Sequence, residues 1–558
     1  MLEGVQPMNG LMMNSQLTLP AMVRRAEALY GAKEIASRRP DKTYFRYTYA
    51  DMIRRAKKLA LALEALGIQP GDRVATLCWN HYQHLEAYFA IPLAGAVLHT
   101  LNLRLHPNDL AFIAAHADDK LIIVDESLVP LLERFRAEIP CKHFVVVRSG
   151  GELPGGMIAY EAFLDAADES KFRYLDLDEN QAAAMCYTSG TTGKPKGVLY
   201  SHRAIALHSM ATGMVDTLAI CEADVAVPVV PMFHVHAWGM PFAGLLVGSK
   251  QVLPGPHLDP VSLLELVQQE RATVVGGVPT VWLGVLQVLD KNPRAYDVSS
   301  LRVVIVGGSA VPKSMIQAYQ ERYGVRILQA WGMTEMTPLG TVGYLPRRLH
   351  NASADDQYDY RAKAGVPAAF IEIRARGADG LVPWDGKTTG ELEVSGPWVA
   401  SSYYNCPEGV ASFTKDGWFR TGDIVSISPT GCIHIQDRAK DVIKSGGEWI
   451  SSVALETALM GHPAVAEAAV ISVPHPKWQE RPLAVVVLKD GQTATAEELI
   501  RFLEPSFAKW WLPDAVEFVR EIPRTSAGKF RKTALREQFR DYRLPTVEQK
   551  TVAAGANP

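Results

Sequence analysis

Apolar side chains recur at helical spacing from Ala50 to Leu66, and Gly71 to Thr76 then leads into a short apolar strand. The alternation returns further along. LRVVIVGGSAVP, Leu301 to Pro312, reads as a buried strand, a glycine turn and the start of a helix, and VRILQAWGMTE, Val325 to Glu335, reads as a strand followed by a loop. Short apolar strands separated by helices predict a mostly parallel sheet covered by helices. After Val366 the texture changes: Gly390 to Val394, Gly417 to Val425 and Gly431 to Ile435 are short strand candidates bounded by glycines, which predicts a small β-rich section. From Asp437 onward come DRAKDVIKSGGEWISSVALE, the strand AEAAVISVP, the strand LAVVVLK, a helix and a basic tail. The expected fold class is therefore α/β, with a large N-terminal body of several subdomains over residues 1–439 and a small α+β C-terminal domain over residues 440–558. The boundary is expected near Asp437 to Asp441, and neither a solenoid-period repeat nor a low-complexity region interrupts the pattern.

One apolar stretch leaves two readings open. VAVPVVPMFHVHAWGMPFAGLLVGS, Val225 to Ser249, holds no Asp, Glu, Lys or Arg and is long enough to cross a bilayer. Pro228, Pro231 and Pro241 work against a single helix, and His234 and His236 are costly in lipid, so a strand, loop and helix walling a buried pocket is the expectation. Composition narrows the classes. With 558 residues, 48% of them hydrophobic, the chain has the length and apolar content for several domains, and a net charge of -3 offers no general attraction to nucleic acid or anionic membrane. Six scattered cysteines without a CxxC pair suggest neither a disulfide framework nor a zinc cluster, which fits a reducing cytoplasm. MLEGVQPMNGLMMNSQ lacks the basic start and continuous apolar core of a signal peptide.

The segment YTSGTTGKPKGV, Tyr187 to Val198, concentrates glycines, hydroxyls and lysines. Gly190, Gly193 and Gly197 permit close backbone approach, Thr188, Ser189, Thr191 and Thr192 supply hydroxyls, and Lys194 and Lys196 supply charge. That chemistry suits a phosphate, although a solvated Gly/Thr turn has the same composition. A Walker loop is excluded because Pro195 stands where that motif needs Ser or Thr for its metal. Four other stretches follow in order: PMFHVHAWG at Pro231, QAWGMTE at Gln329, WFRTGD at Trp418 with DRAKD at Asp437, and PRTSAGK at Pro523. In order and spacing, the five resemble the adenylate-forming superfamily of acyl-CoA synthetases, peptide-synthetase adenylation domains and luciferases, and within it the fatty acyl-CoA synthetases.

The resemblance implies a ligase that activates a carboxylic acid with Mg-ATP, releases pyrophosphate, and passes the acyl group to coenzyme A with release of AMP. A medium- to long-chain fatty acid is the implied substrate. Delivery to a carrier protein, or short-chain, branched or aryl acids, are the alternatives. Thr188, Ser189, Gly190, Thr191, Thr192, Gly193 and Lys194 would grip the phosphates. Thr188 and Glu335 would hold magnesium through hard oxygens, and Thr334 would contact the α-phosphate. Gly308, Ser309, Trp331 and Gly332 would border the nucleotide, Trp331 standing where many relatives carry Tyr and so lacking the phenolic donor. Asp423 would accept the ribose hydroxyls, with Arg438 reaching ribose or phosphate. His234 would shield the carboxylate site, and Trp238 would act as an indole gate to an acyl tunnel with Val278, Trp282, Gly308, Gly332 and Met333, positions for which ordinary core is the competing reading. A metal pair formed by His234 and His236 is a further reading of the His-x-His spacing. Lys529 would bridge acid and phosphate oxygens during adenylation. The C-terminal domain would then turn at Lys440 and bring Lys444, Gly446, Gly447 and Trp449 to the coenzyme A path. The resemblance also implies acetylation of Lys529 by a lysine acetyltransferase, and it admits a homodimer through the N-terminal segment. Nucleic acid is not an expected partner.

Overall fold

The computed structural model describes Met8 and residues 10–150, 152–188, 194–445, 448–525 and 528–544. Tyr49–Ala65 illustrates how the helices arise. Thr48 accepts the Asp51 amide while the Asp51 carboxylate reaches back to the Thr48 amide, and Met52, Ile53, Ala56, Leu59, Ala60 and Leu63 form one buried stripe. The expected helix and the strand after it, Arg73–Leu77, are both present.

The body contains two mostly parallel, helix-covered sheets, as the expected fold class anticipates. In the first, the strands run Ile158–Ala159, His143–Val147, Asp119–Asp125, Arg73–Leu77, Val97–Thr100, Ala182–Tyr187 and Gly197–Ser201, all parallel except the last pair. In the second, nine strands enclose a parallel centre formed by Glu34–Arg38, Lys250–Leu253, Val225–Pro228, Val274–Gly277, Val303–Gly307 and Arg326–Gly332. Central strands such as Val303–Gly307 are buried along their whole length, as strands covered on both faces must be. The helices Leu19–Tyr30, Tyr49–Ala65 and Tyr82–Leu93 share one core with residues of both sheets, and Tyr82–Leu93 touches strands of each. Helices on the outer faces complete the layering: Pro260–Glu270, Pro279–Lys291 and Lys313–Tyr323 on one sheet, Pro107–Ala117 on the other.

The β-rich section is an antiparallel sheet of Gly380–Leu381, Glu372–Gly377, Thr389–Ser395, Phe419–Ile427 and Ile433–Arg438. Beyond it, Val465–His475 and Gln479–Leu488 form a long antiparallel pair joined by Ile443–Ser445, Glu448–Ile450 and, in parallel, Ala515–Phe518. Ser452–Leu459 and Ala496–Leu503 bury their apolar faces on this sheet, giving the C-terminal unit its own core. Val225 to Ser249 resolves into the strand Val225–Pro228, a tight turn and the helix Met240–Val247, all packed inside the body. Among the described residues no helix is long and apolar enough to cross a membrane.

Gly365 joins two sheets. It precedes the edge strand Val366–Pro367, its carbonyl accepts the Ile433 amide at 2.8 Å, and it has φ +85° with Val342 O only 2.0 Å from where a Cβ would stand. Gly365→Ala is expected to destabilise the body by about 1–3 kcal/mol, read as a lower urea midpoint; an unchanged midpoint would refute this account of the joint.

Candidate active site

The parallel strands of the nine-stranded sheet end at a cavity of about 1360 Å³, which the β-rich sheet and the C-terminal unit border on the other side. Openings at the carboxyl ends of parallel strands are where such sheets have room for ligands. Its shape begins with Gly332, the last residue of Arg326–Gly332. A Cβ there would lie 1.9 Å from Pro338 O, so only glycine lets the chain double back and present Thr334 and Glu335 to the cavity. Three contacts then fix this loop. The Tyr403 hydroxyl donates to Glu335 Oε1 at 2.6 Å, the Ala400 amide donates to Glu335 O at 2.7 Å, and the Tyr200 hydroxyl donates to Thr334 O at 2.7 Å.

A second group forms across the sheets. The Trp331 indole donates to Asp423 Oδ2 at 3.0 Å, while Arg438 Nε pairs with Asp423 Oδ1 at 2.7 Å and Arg438 Nη1 donates to Thr421 O at 3.2 Å. The Trp331 N–H thus orients the buried Asp423 carboxylate. Lys529 enters from the C-terminal unit past Gly308, whose missing Cβ would stand 3.6 Å from Lys529 Cε. Removal from water pushes the Lys529 ammonium down to about 8; Arg438 and Lys440 push the same way, while Asp423 and Glu335 oppose them. Burial, with Lys529 and Arg104 adding to it, holds His234 down to about 4, so the imidazole facing this cavity is neutral. Lys440 also lines the cavity, and burial lowers its pKa against the opposing charge of Asp441.

Left-handed backbone sorts the His-x-His segment. Val235, His236, Ala237, Trp238 and Gly239 all have positive φ, between 39° and 76°. Each non-glycine residue in that region costs about 1–2 kcal/mol, which the burial of Val235, His236 and Ala237 in the body helps to offset. The turn sends His234 and Trp238 to the cavity and His236 into the core, where its ring lies 3.6 Å from Cys186 Sγ. The two histidines thus face different surroundings, against the metal-pair reading. Trp238 fills space beside glycine backbone, its ring 3.4 Å from a Cβ position on Gly307 and 3.9 Å from one on Gly276. Val278 touches the edge of the site through Gly308 and Gly528.

Trp282 requires a correction. It is 1% exposed, packs with Leu263, Val267, Val285 and Leu289 under the outer helices, and does not line the cavity. Apolar spacing on Pro279–Lys291 could not distinguish a helix face turned to the core from one turned to a pocket.

Of the Gly/Thr/Lys segment, Thr188 and Lys194 lie at the cavity, with Ser309, Met333 and Gly332 also on its wall. Thr188 Oγ1 accepts the Lys196 amide at 3.1 Å, and the Thr188 amide donates to Lys196 O at 2.9 Å, closing the base of the segment. Ser189, Gly190, Thr191, Thr192, Gly193, Gly446 and Gly447 lie outside the described residues. Lys444 and Trp449 are opposite one another on paired strands, and Lys444 is exposed, its amide donating to Glu480 at 2.8 Å. Sequence reading missed Tyr403 and Tyr200 as residues that fix the site. Lys196, read with its loop, lies on the cavity wall, whereas Tyr403, 68 positions from the Glu335 it holds, carries no local signal.

The chain matches the family model described as AMP-binding enzyme over residues 24–404 and the AMP-binding enzyme C-terminal domain over residues 454–529. It is 50% identical over 536 residues to the long-chain-fatty-acid–CoA ligase of Thermus thermophilus, across 95% of this chain and 97% of that protein. The medium-chain-fatty-acid–CoA ligase of Ectopseudomonas oleovorans is 42% identical over 544 residues, covering 96% of this chain and 98% of its own. Among solved structures, the anthranilate CoA ligase AuaEII in complex with anthranoyl-AMP superposes with a TM-score of 0.83 at 25% identity, over 93% of this chain and 97% of that one.

The low pKa of Lys529 has a direct chemical consequence. In competitive labelling with an amine-reactive anhydride, Lys529 is expected to react with an apparent pKa of about 8, against roughly 10.4 for ordinary lysines. Asp423→Asn, which removes a charge that favours the ammonium, is expected to lower that pKa further. A rise on this substitution would contradict the arrangement.

Proposed function

The chain belongs to the AMP-binding enzyme family, and on that footing we propose that it is an ATP-dependent acyl-CoA ligase acting on a medium- to long-chain fatty acid. The observation that carries this reading is the meeting of Lys529, Glu335, the Asp423–Arg438 pair and the apolar wall around Trp238 in one cavity. In the first step an oxygen of the fatty carboxylate bonds to the α-phosphorus of ATP, and the bond from that phosphorus to the bridging oxygen of pyrophosphate breaks. In the second, the sulfur of coenzyme A bonds to the acyl carbon, AMP leaves with the former carboxylate oxygen, and the thiol proton passes to solvent.

The residues divide this work. Lys529 places a positive charge between the attacking carboxylate and the phosphate oxygens, groups that otherwise repel, in a space where water screens little. Asp423, oriented by Trp331 and Arg438, would accept the ribose hydroxyls. Neutral His234 borders the carboxylate without adding charge. Glu335 and Thr188 are hard oxygen donors at the cavity wall, a set that fits Mg2+; there the ion would offset polyphosphate charge. Thr334, Ser309 and Lys194 complete the phosphate surroundings, with Ser189 to Gly193 assigned to the same grip. Gly308, Gly332, Met333 and Val278 border the acid beside Trp238, and the uncharged stretch Val225 to Ser249 supports an aliphatic acid.

The division into residues 1–439 and 440–558, with Lys440 as the turning point, belongs to the same proposal. Turning would withdraw Lys529 and bring Lys444 to Trp449 toward the thioester site. Acetylation of Lys529 would remove the adenylating charge. A cytoplasmic location and a homodimer through the N-terminal segment accompany this reading.

Incubation with ATP, Mg2+, coenzyme A and a series of straight-chain acids is expected to yield AMP and acyl-CoA in equal amounts. AMP without acyl-CoA across the series would instead favour transfer to a carrier protein. Lys529→Ala is expected to slow adenylate formation by about 10²–10³-fold while sparing thioester formation from supplied acyl-adenylate, and Lys440→Pro to spare the first and slow the second. Parallel losses in both variants would defeat the two-arrangement scheme. Because the ammonium form of Lys529 is the active one, kcat/KM for adenylation, which follows the free enzyme, should decline as pH rises through about 8, and a flat kcat/KM profile would contradict its role. Trp238→Ala should change the chain-length profile at saturating ATP more than the response to ATP itself; uniform losses for short and long acids would reject the gate.

A further inference from the structure

We propose that Asp437, Ser452, Lys532 and Glu456 form a latch that holds the C-terminal unit in the arrangement delivering Lys529 to the cavity, and that it must open before the thioester step. The proposal rests on the ligase reading above and assigns these four residues a positioning role. Asp437 lies in Ile433–Arg438, the last strand of the β-rich sheet, and is 1% exposed. Its Oδ2 accepts the Ser452 amide at 2.6 Å and the Ser452 hydroxyl at 2.5 Å, at the start of the helix Ser452–Leu459. Beside it, the Ser451 hydroxyl donates to the Gln436 carbonyl. Ser452 Oγ in turn accepts from Lys532 Nζ at 2.5 Å, and Lys532 pairs with Glu456 Oε1 at 2.7 Å. Glu456 also accepts the Val470 amide at 2.7 Å, which ties the group to the long strand Val465–His475.

Lys532 opens the helix Lys532–Gln538 three residues after Lys529, so its anchorage sets where Lys529 reaches. A turn at Lys440 divides these contacts into two kinds. Asp437 and Gln436 stay with the body, so their bonds to Ser452 and Ser451 have to break. Lys532–Glu456, Glu456–Val470 and the 2.5 Å Arg536–Asp441 pair lie wholly beyond Lys440 and travel together. Charge makes the contact reversible. With the latch closed, one ammonium serves two buried carboxylates; once it opens, Lys532 keeps Glu456, and Asp437, which already borders the open cavity, is left to water. Neither side retains an unpaired ion in a dry interior, the condition that makes broken buried pairs so costly.

The test combines both half-reactions with a conformational readout that needs no turnover. Dyes placed at exposed Ser170 on the body and Glu497 on the C-terminal unit report their separation by energy transfer. Asp437→Asn and Lys532→Met are expected to slow adenylate formation about tenfold or more, leave thioester formation from supplied acyl-adenylate unchanged or faster, and move the separation away from that of the wild type. Lys532→Arg, which keeps charge and donors, is expected to restore both. If Lys532→Met does not fold, Ser452→Ala tests the same link. Equal losses in both half-reactions, or variants whose separation matches the wild type, would overturn the latch. Absence of acyl-CoA from the wild type would instead overturn the ligase reading, while the separation measurement would still decide whether these contacts hold the two units together.

Discussion

A lysine ammonium removed from water, Lys529, is the constraint around which the site is built. Burial works against its charge, and Glu335 and Asp423 are the carboxylates that oppose this. Each depends on its own supports. Glu335 reaches the cavity because Gly332 admits the close approach of Pro338 and Tyr403 holds the carboxylate; Asp423 is aimed by Trp331 and Arg438. Asp441 likewise opposes the charge of Lys440, and among the described residues the cavity lining carries nine Lys or Arg against seven Asp or Glu, a positive balance suited to a polyphosphate.

The surrounding fold supplies a rigid frame for that balance. Parallel strands covered on both faces end together, so residues far apart in the chain, such as Gly308 and Gly332, meet at one opening. The left-handed turn from Val235 to Gly239 places strain next to the cavity, where dense packing on one side holds Trp238 and His234 outward on the other. Lys529, by contrast, comes from a unit with its own core, and polar contacts at Asp437 and Gln436 are among those that join it to the frame. Hydrogen bonds and ion pairs can be exchanged with water during a movement more readily than a packed apolar face, which suits the turn proposed at Lys440.

Much of the fold was legible because local rules and burial agreed. Helical spacing located Tyr49–Ala65, continuous apolar runs located Val303–Gly307 and Val465–His475, and glycine-bounded segments located the β-rich strands. Which strands belong to which of the two parallel sheets was not legible, because a strand's apolar pattern records that it is covered without recording which strand lies beside it.

For the site, sequence determined the chemical types and their order: a Gly/Thr/Lys segment, the Thr334–Glu335 pair, Asp423 with Arg438, and Lys529 near the end. These were readable because backbone approach and phosphate chemistry restrict which residues serve. Tertiary structure alone decided the long-range partners and directions. Tyr403 reaches Glu335, Asp437 reaches Ser452, His236 turns inward while His234 turns outward, and Trp282 faces core. Hydrogen bonds between distant segments leave no periodic trace, and the side a helix or turn presents is set by what packs against it, so these features exist only once the layers have met.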